Sequence, residues 1–251
     1  ELYLITGFLG AGKTTFLKNF ARQFAGRRLR LIINEFGCAG VDGTLLRELD
    51  AALDEISNGS IFCACRLDQF EAALEQAAAD APDVVLVEAS GLADPTNVRR
   101  VLAQFPAVSY QGSVCVADAA RLEKVFSTAR ACPRQLAVSS LVLLNKTDLA
   151  TEAQCAEAKA LILRANPAAR IRRTQFGRFE PEWLSLIVPD VDVDEVLDMP
   201  DITLQKAVLQ IRPTMPFAAL QKCLVQLAGE TWRIKGFVRM PEGIFYVDCT
   251  G

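Results

Sequence analysis

Five short runs in the N-terminal two-thirds of the chain are apolar on both faces: Leu2 to Thr6 (LYLIT), Leu29 to Asn34 (LRLIIN), Asp83 to Glu88 (DVVLVE), Gly112 to Asp118 (GSVCVAD) and Leu141 to Asn145 (LVLLN). A strand wet on one side alternates apolar with polar residues, so runs without alternation must be covered above and below. Amphipathic segments separate them, and parallel strands joined by crossover helices supply both covers. The expected fold class is therefore α/β, a doubly wound, mostly parallel sheet. At 251 residues the chain has room for one to two domains.

Between Pro189 and Asp201 the stretch PDVDVDEVLDMPD holds six acids, no bases and two prolines, the composition of an exposed linker. Beyond it the pattern becomes strand (Leu204 to Arg212), helix (Pro216 to Ala228), strand (Trp232 to Met240) and strand (Ile244 to Cys249), with Pro241-Glu242-Gly243 as a turn. The expected organisation is a domain over 1–188, an acidic linker over 189–202 and a small α+β domain over 203–251.

Composition removes several functions. With 51% hydrophobic and 23% charged residues the chain reads as globular. No run reaches the roughly 18 apolar residues of a membrane span, and no secretory pattern opens the sequence, so a cytoplasmic protein with no membrane partner is expected. The chain begins on Glu1 without Met, a single residue before its first apolar run, which suggests a short missing N-terminal segment. A net charge of −3 argues against a basic nucleic-acid surface. The absence of any His excludes an imidazole base, a Ser-His-Asp triad and His-ligated zinc. Eight cysteines in a large chain without an export signal read as free thiols or metal ligands rather than a disulfide framework.

Directly after the first strand, Gly7-Phe8-Leu9-Gly10-Ala11-Gly12-Lys13-Thr14-Thr15 satisfies G-x-x-x-x-G-K-[ST] between a strand and a helix. The glycines let backbone N–H groups and the helix N-terminus surround an oligophosphate. Lys13 is suited to the β- and γ-phosphates and the Thr14 hydroxyl to Mg²⁺. Asn145-Lys146-Thr147-Asp148 ends another apolar strand, where an open α/β sheet binds ligands. A carboxylate at Asp148 can accept hydrogen bonds from guanine N1–H and its 2-amino group, whereas adenine would leave it unpaired, so the motif favours GTP over ATP. Glu88-Ala89-Ser90-Gly91 closes a third strand where a carboxylate orients the Mg²⁺ shell and Gly91 can sense the γ-phosphate.

In this order, GFLGAGKTT, NEFG (Asn34 to Gly37), VDG (Val41 to Gly43), VEASGLADP (Val87 to Pro95), VADA (Val116 to Ala119), LLNKTDL (Leu143 to Leu149), NPAARI (Asn166 to Ile171) and WRIKGFV (Trp232 to Val238) resemble the CobW-type P-loop GTPases over nearly the whole chain. These are metal-chaperone relatives of the hydrogenase and urease nickel-insertion GTPases. The resemblance implies a GTPase of the dimerising SIMIBI class, with NEFG and the loop to VDG as first switch, GTP-dependent homodimers and a client metalloenzyme. It also implies a C-terminal domain that continues beyond the last strand, so a chain ending at Gly251 is a short variant or a truncated one.

The metal motif departs from the family. Where members carry Cys-x-Cys-Cys after Asn-Gly, this chain has Asn58-Gly59-Ser60-Ile61-Phe62-Cys63-Ala64-Cys65, so the family's thiolate site cannot form as such. Cys38 follows NEFG directly, and the resemblance puts that switch near the cysteine loop. Cys38, Cys63 and Cys65 are therefore candidate ligands of a relocated site for Zn²⁺, Cu(I) or another soft or borderline ion. Against this, Cys63 and Cys65 can point to opposite sides of an extended segment, with Cys38 merely small and buried. Cys115, Cys223 and Cys249 read as small hydrophobes. Cys132 and Cys155 lie near helix starts, where a thiol's pKa can fall, but core or inert surface is the simpler reading.

For hydrolysis, a carboxylate must orient the water, and Glu35 and Asp42 in the switch segment are the candidates. Slow intrinsic turnover is expected. A metallochaperone competes with a metal-free GTP-switched interaction module, for example a chaperone for a corrinoid-dependent enzyme, which the altered cysteine motif favours. A P-loop small-molecule kinase is disfavoured by the NKTD motif and by the lack of an acceptor site.

Overall fold

The computed structural model describes residues 1–34, 51–56 and 67–189 and, further on, 209, 211, 215–231, 234–240 and 243–249. The chain divides into two units, Glu1–Ile202 and Thr203–Gly251.

Among its described residues the first unit has seven strands: β1 (Leu2–Thr6), β2 (Leu29–Asn34), β3 (Ala51–Ile56), β4 (Val84–Glu88), β5 (Tyr110–Asp118), β6 (Leu141–Asn145) and β7 (Arg170–Arg173). They form one sheet in the order β3-β2-β4-β1-β5-β6-β7, every pair parallel. The five doubly apolar runs occupy its centre, and β3 and β7, which apolar patterning does not reveal, form its edges. Helices α1 (Lys13–Ala21), α2 (Leu67–Asp80), α3 (Val98–Leu102), α4 (Leu122–Thr128), α5 (Ala131–Ala137) and α6 (Glu152–Ala165) connect the strands.

Alternate residues of the central strands feed two separate cores. Tyr3, Ile5, Leu31, Ile33, Leu86, Val114 and Leu143 pack with Phe16, Leu17 and Phe20 of α1, whereas Leu2, Leu4, Ile32, Val85 and Val87 pack with Phe70 and Leu74 of α2. Aromatic rings lock α1 in place: Phe20 lies 5.2 Å from Phe16, 5.5 Å from Tyr3 and 4.8 Å from Phe179, centroid to centroid. Such pairs add about 1 kcal/mol each beyond burial, so the helix that starts at the glycine loop has little freedom to slide. At the β3 edge, Arg30 donates to Asp54 at 2.6 and 2.9 Å and also to Asp80 of α2, which ties strand and helix together through charge.

In the C-terminal unit, α7 (Phe217–Glu230) precedes an antiparallel hairpin of β8 (Ile234–Met240) and β9 (Gly243–Cys249). Phe237 faces Tyr246 across the hairpin, and Phe217 of α7 lies 5.7 Å from Phe245. The expected strand at 204–212 lies outside the described residues, apart from Leu209 and Ile211. No described helix is long and apolar enough to cross a membrane.

Candidate nucleotide site

A parallel sheet aims all its strands the same way, so the residues following β1, β4, β5 and β6 meet at one edge. The neighbours of β1 are β4 on one side and β5 on the other, and the crevice at such a switch point is where open α/β sheets bind ligands.

The glycine loop after β1 is built around close approach. Gly7 has a φ of +133°, and a Cβ there would lie 2.2 Å from the Val116 carbonyl oxygen, so no other residue fits without displacing β5. The loop ends at Gly12, the left-handed N-cap of α1, which offers no capping side chain. The first N–H groups of α1 are thus the groups a polyanion would meet. Lys13 is buried, and its Nζ donates to the Phe8 carbonyl at 3.3 Å across the loop. Thr14 donates through Oγ1 to Glu88 Oε1 at 3.2 Å. Glu88 is itself only 3% exposed, so a carboxylate and a hydroxyl stand together beneath the loop. Ala11 is buried and Thr15 exposed.

Past β4, Gly91 packs against the same loop: a Cβ there would lie 2.7 Å from the Leu9 nitrogen. Three side chains hold this second loop. Ser90 N–H donates to Asn34 Oδ1 at 3.3 Å, and Asn34 Nδ2 donates to the Ile56 carbonyl at 3.0 Å, so the end of β2 links β3 to the loop. From α5, Gln135 donates to the Gly91 and Ala93 carbonyls at 3.2 and 3.0 Å, and Arg134 pairs with Asp94.

At the end of β6, Asn145 is 2% exposed and acts as a clamp: Nδ2 donates to the Ala11 carbonyl at 2.9 Å, and Oδ1 accepts from Gly177 N–H at 3.0 Å. Lys146 has a φ of +58°, and its Nζ lies 2.8 Å from Asp118 Oδ2 at the end of β5. Asp148 lies two residues on, exposed at the rim. Sequence patterning does not single out the Thr174–Gly177 loop after β7, although Thr147 donates to the Thr174 carbonyl from both N–H and Oγ1, at 3.3 and 3.1 Å. The only local signal there is a lone glycine.

Gly7, Gly10, Ala11, Gly12, Lys13, Thr14, Glu88, Gly91, Asn145 and Lys146 thus surround the strand ends. The water-orienting candidates Glu35 and Asp42, and the thiols Cys38, Cys63 and Cys65, lie outside the described residues. Among the described residues no group of three or more Cys, Asp or Glu could hold a metal ion. Of the two readings of Cys132, the packing selects the core one over an acidified thiol: α5 buries it, and that burial together with Cys115 pushes the thiol well above its ordinary range. Burial likewise raises Cys115 to about 12.

Residues 1–173 match the family described as CobW/HypB/UreG, nucleotide-binding domain. The chain is 32% identical over 202 residues to the zinc chaperone CobW of Pseudomonas aeruginosa, covering 66% of this chain and 54% of that protein. It is 26% identical over 226 residues to the zinc chaperone YjiA of Escherichia coli, covering 86% of this chain and 66% of that one. It therefore spans about half to two-thirds of the length of these relatives. The signal recognition particle receptor FtsY of Elizabethkingia anophelis, solved in complex with GDP, shares the fold: TM-score 0.51 at 16% identity, over 75% of this chain and 64% of that one.

Proposed function

The chain belongs to the CobW/HypB/UreG nucleotide-binding family, and on that premise we propose that it is a GTP-binding and GTP-hydrolysing switch of metallochaperone type, which delivers or inserts a metal or cofactor into a client metalloenzyme. The reading is carried by one juxtaposition: the Thr14 hydroxyl and the Glu88 carboxylate 3.2 Å apart beneath a glycine loop that Asn145 ties to the base-reading motif.

The oxygen donors of Thr14 and Glu88 fit Mg²⁺, which prefers hard oxygen ligands. Thr14 would hold it with Glu88 beside it, and the ion would neutralise charge on the phosphates. Lys13 and the first N–H groups of α1 bind and orient the phosphate chain, and Thr15 extends that contact. Gly91, seated on Leu9, reports whether the γ-phosphate is present. Asp148 selects guanine. Hydrolysis joins a water oxygen to the γ-phosphorus and breaks its bond to the β-phosphate bridge, releasing GDP and phosphate. With no histidine in the chain, Glu35 or Asp42 orients that water, and turnover is slow until a partner completes the site.

The curated relatives are named zinc chaperones, which favours Zn²⁺ as cargo, with Cys38, Cys63 and Cys65 as its ligands here. Zinc titration of the reduced chain, with GDP and with a non-hydrolysable GTP analogue, tests this. The reading requires about one ion per chain, as three thiolates in one site can supply, and an affinity that differs between the two nucleotides. Absence of binding in both states would leave the second reading, a metal-free GTP-switched chaperone in the cytoplasm. Ser60 and Phe62, at positions where the family carries thiols, favour that alternative. In either case the partners are a guanine nucleotide, a client enzyme and a second copy of the chain in the GTP state.

A further inference from the structure

The loop after β7 presents an aromatic ring to water beside the base-reading motif. Phe176 is 64% exposed and has a φ of +54°, a conformation that bulky L residues rarely adopt. Hydrophobic packing does not account for it. Phe179, three residues on, is buried against Phe16, Phe20 and Trp183, whereas Phe176 joins no ring pair among the described residues.

The backbone around Phe176 is held from three sides. Asn19 of α1 donates through Nδ2 to the carbonyls of Phe176 and Gly177 at 3.0 and 2.9 Å. Gly177 N–H donates to Asn145, and the Thr174 carbonyl accepts from Thr147. The residues flanking Phe176 are thus fixed to the first and third positions of Asn145-Lys146-Thr147-Asp148. A strained backbone that displays an exposed ring marks a functional position when its surroundings over-determine it, and the ligand such a ring suits is flat and aromatic.

We propose that Phe176 is one wall of the base slot, its ring packing on a face of the purine while Asp148 reads the edge. The proposal rests on the nucleotide reading for the position of the base, but not on which base is bound, because stacking is nearly indifferent to base identity.

The test is binding of GDP, IDP and inorganic tripolyphosphate to the wild type and to Phe176→Ala, Phe176→Gly and Phe176→Trp. The Ala and Gly variants should bind GDP and IDP about tenfold more weakly, the scale of one base–aromatic contact, with tripolyphosphate affinity unchanged. Glycine suits a φ of +54° and should unfold no earlier than wild type, which separates a lost ligand contact from a damaged loop. The Trp variant should recover GDP binding, and its indole emission should be quenched as GDP is added. Unchanged GDP affinity in the Ala variant, equal losses for GDP and tripolyphosphate, or unquenched indole would each overturn the proposal. If wild type takes ADP as readily as GDP, the reading of Asp148 fails instead, and the same tenfold loss must then appear with ADP.

Discussion

Replacing Asn145 by alanine should uncouple the three loops of the site, and its cost can be worked out from the clamp. Asn145 is 2% exposed and its two hydrogen bonds, to the Ala11 carbonyl at 2.9 Å and from Gly177 N–H at 3.0 Å, join segments far apart in sequence. Ala11 and Gly177 are both buried, so water does not readily replace the lost partner. A buried polar group deprived of its partner costs about 1–3 kcal/mol, and the truncation orphans two of them, which makes it worth about 2–6 kcal/mol. For a unit of this size each kcal/mol lowers the melting temperature by about 2–4 °C, so a drop of about 4–24 °C is expected. Thermal unfolding followed by circular dichroism measures it, with GDP binding assayed well below the transition. GDP affinity should fall there as well, because the glycine loop loses its tether. A melting shift under about 2 °C with wild-type GDP binding would refute the clamp.

Two further outcomes follow from the geometry. Lys13→Ala and Thr14→Ala should each abolish GTP turnover while leaving the circular dichroism spectrum unchanged; a variant with wild-type turnover would contradict the phosphate site. The buried thiols predict a stability that falls in alkali. Burial raises Cys115 to about 12 and pushes Cys132 well up, so above the ordinary thiol range near 8.5 the unfolded chain releases protons that the folded chain keeps. Stability should then decline by about 1.4 kcal/mol per pH unit for each thiol, and Cys115→Ala should flatten the slope between about pH 9 and 11 in urea titrations.

How much is legible in the sequence depends on where each residue sits in the sheet. The central strands announce themselves because helices cover both their faces. Strand β3 (AALDEI) does not, because an edge strand is half wet, and its Asp54 serves Arg30 rather than the core. The other edge, β7, spells RIRR, three arginines in four residues, which has no apolar pattern to read. The phosphate and base motifs are legible because their chemistry demands particular residues at short spacing. The Thr174–Gly177 loop is not, since its relation to Asn145 and Thr147 exists only once β6 and β7 pair. Cys132 is ambiguous for a similar reason: a helix start suggests acidity, but the packing of α5 decides the sign.

The most direct test of the guanine-nucleotide switch is turnover of GTP, ATP and XTP by the wild type and by Asp148→Asn. A carboxylate at Asp148 pairs with guanine's N–H donors, whereas an amide offers a donor to the 2-oxo group of xanthine. Wild type should hydrolyse GTP and leave ATP and XTP nearly untouched, and the variant should lose GTP and gain XTP. Equal turnover of ATP and GTP by the wild type, or undiminished preference for GTP in the Asp148→Asn variant, would contradict the account.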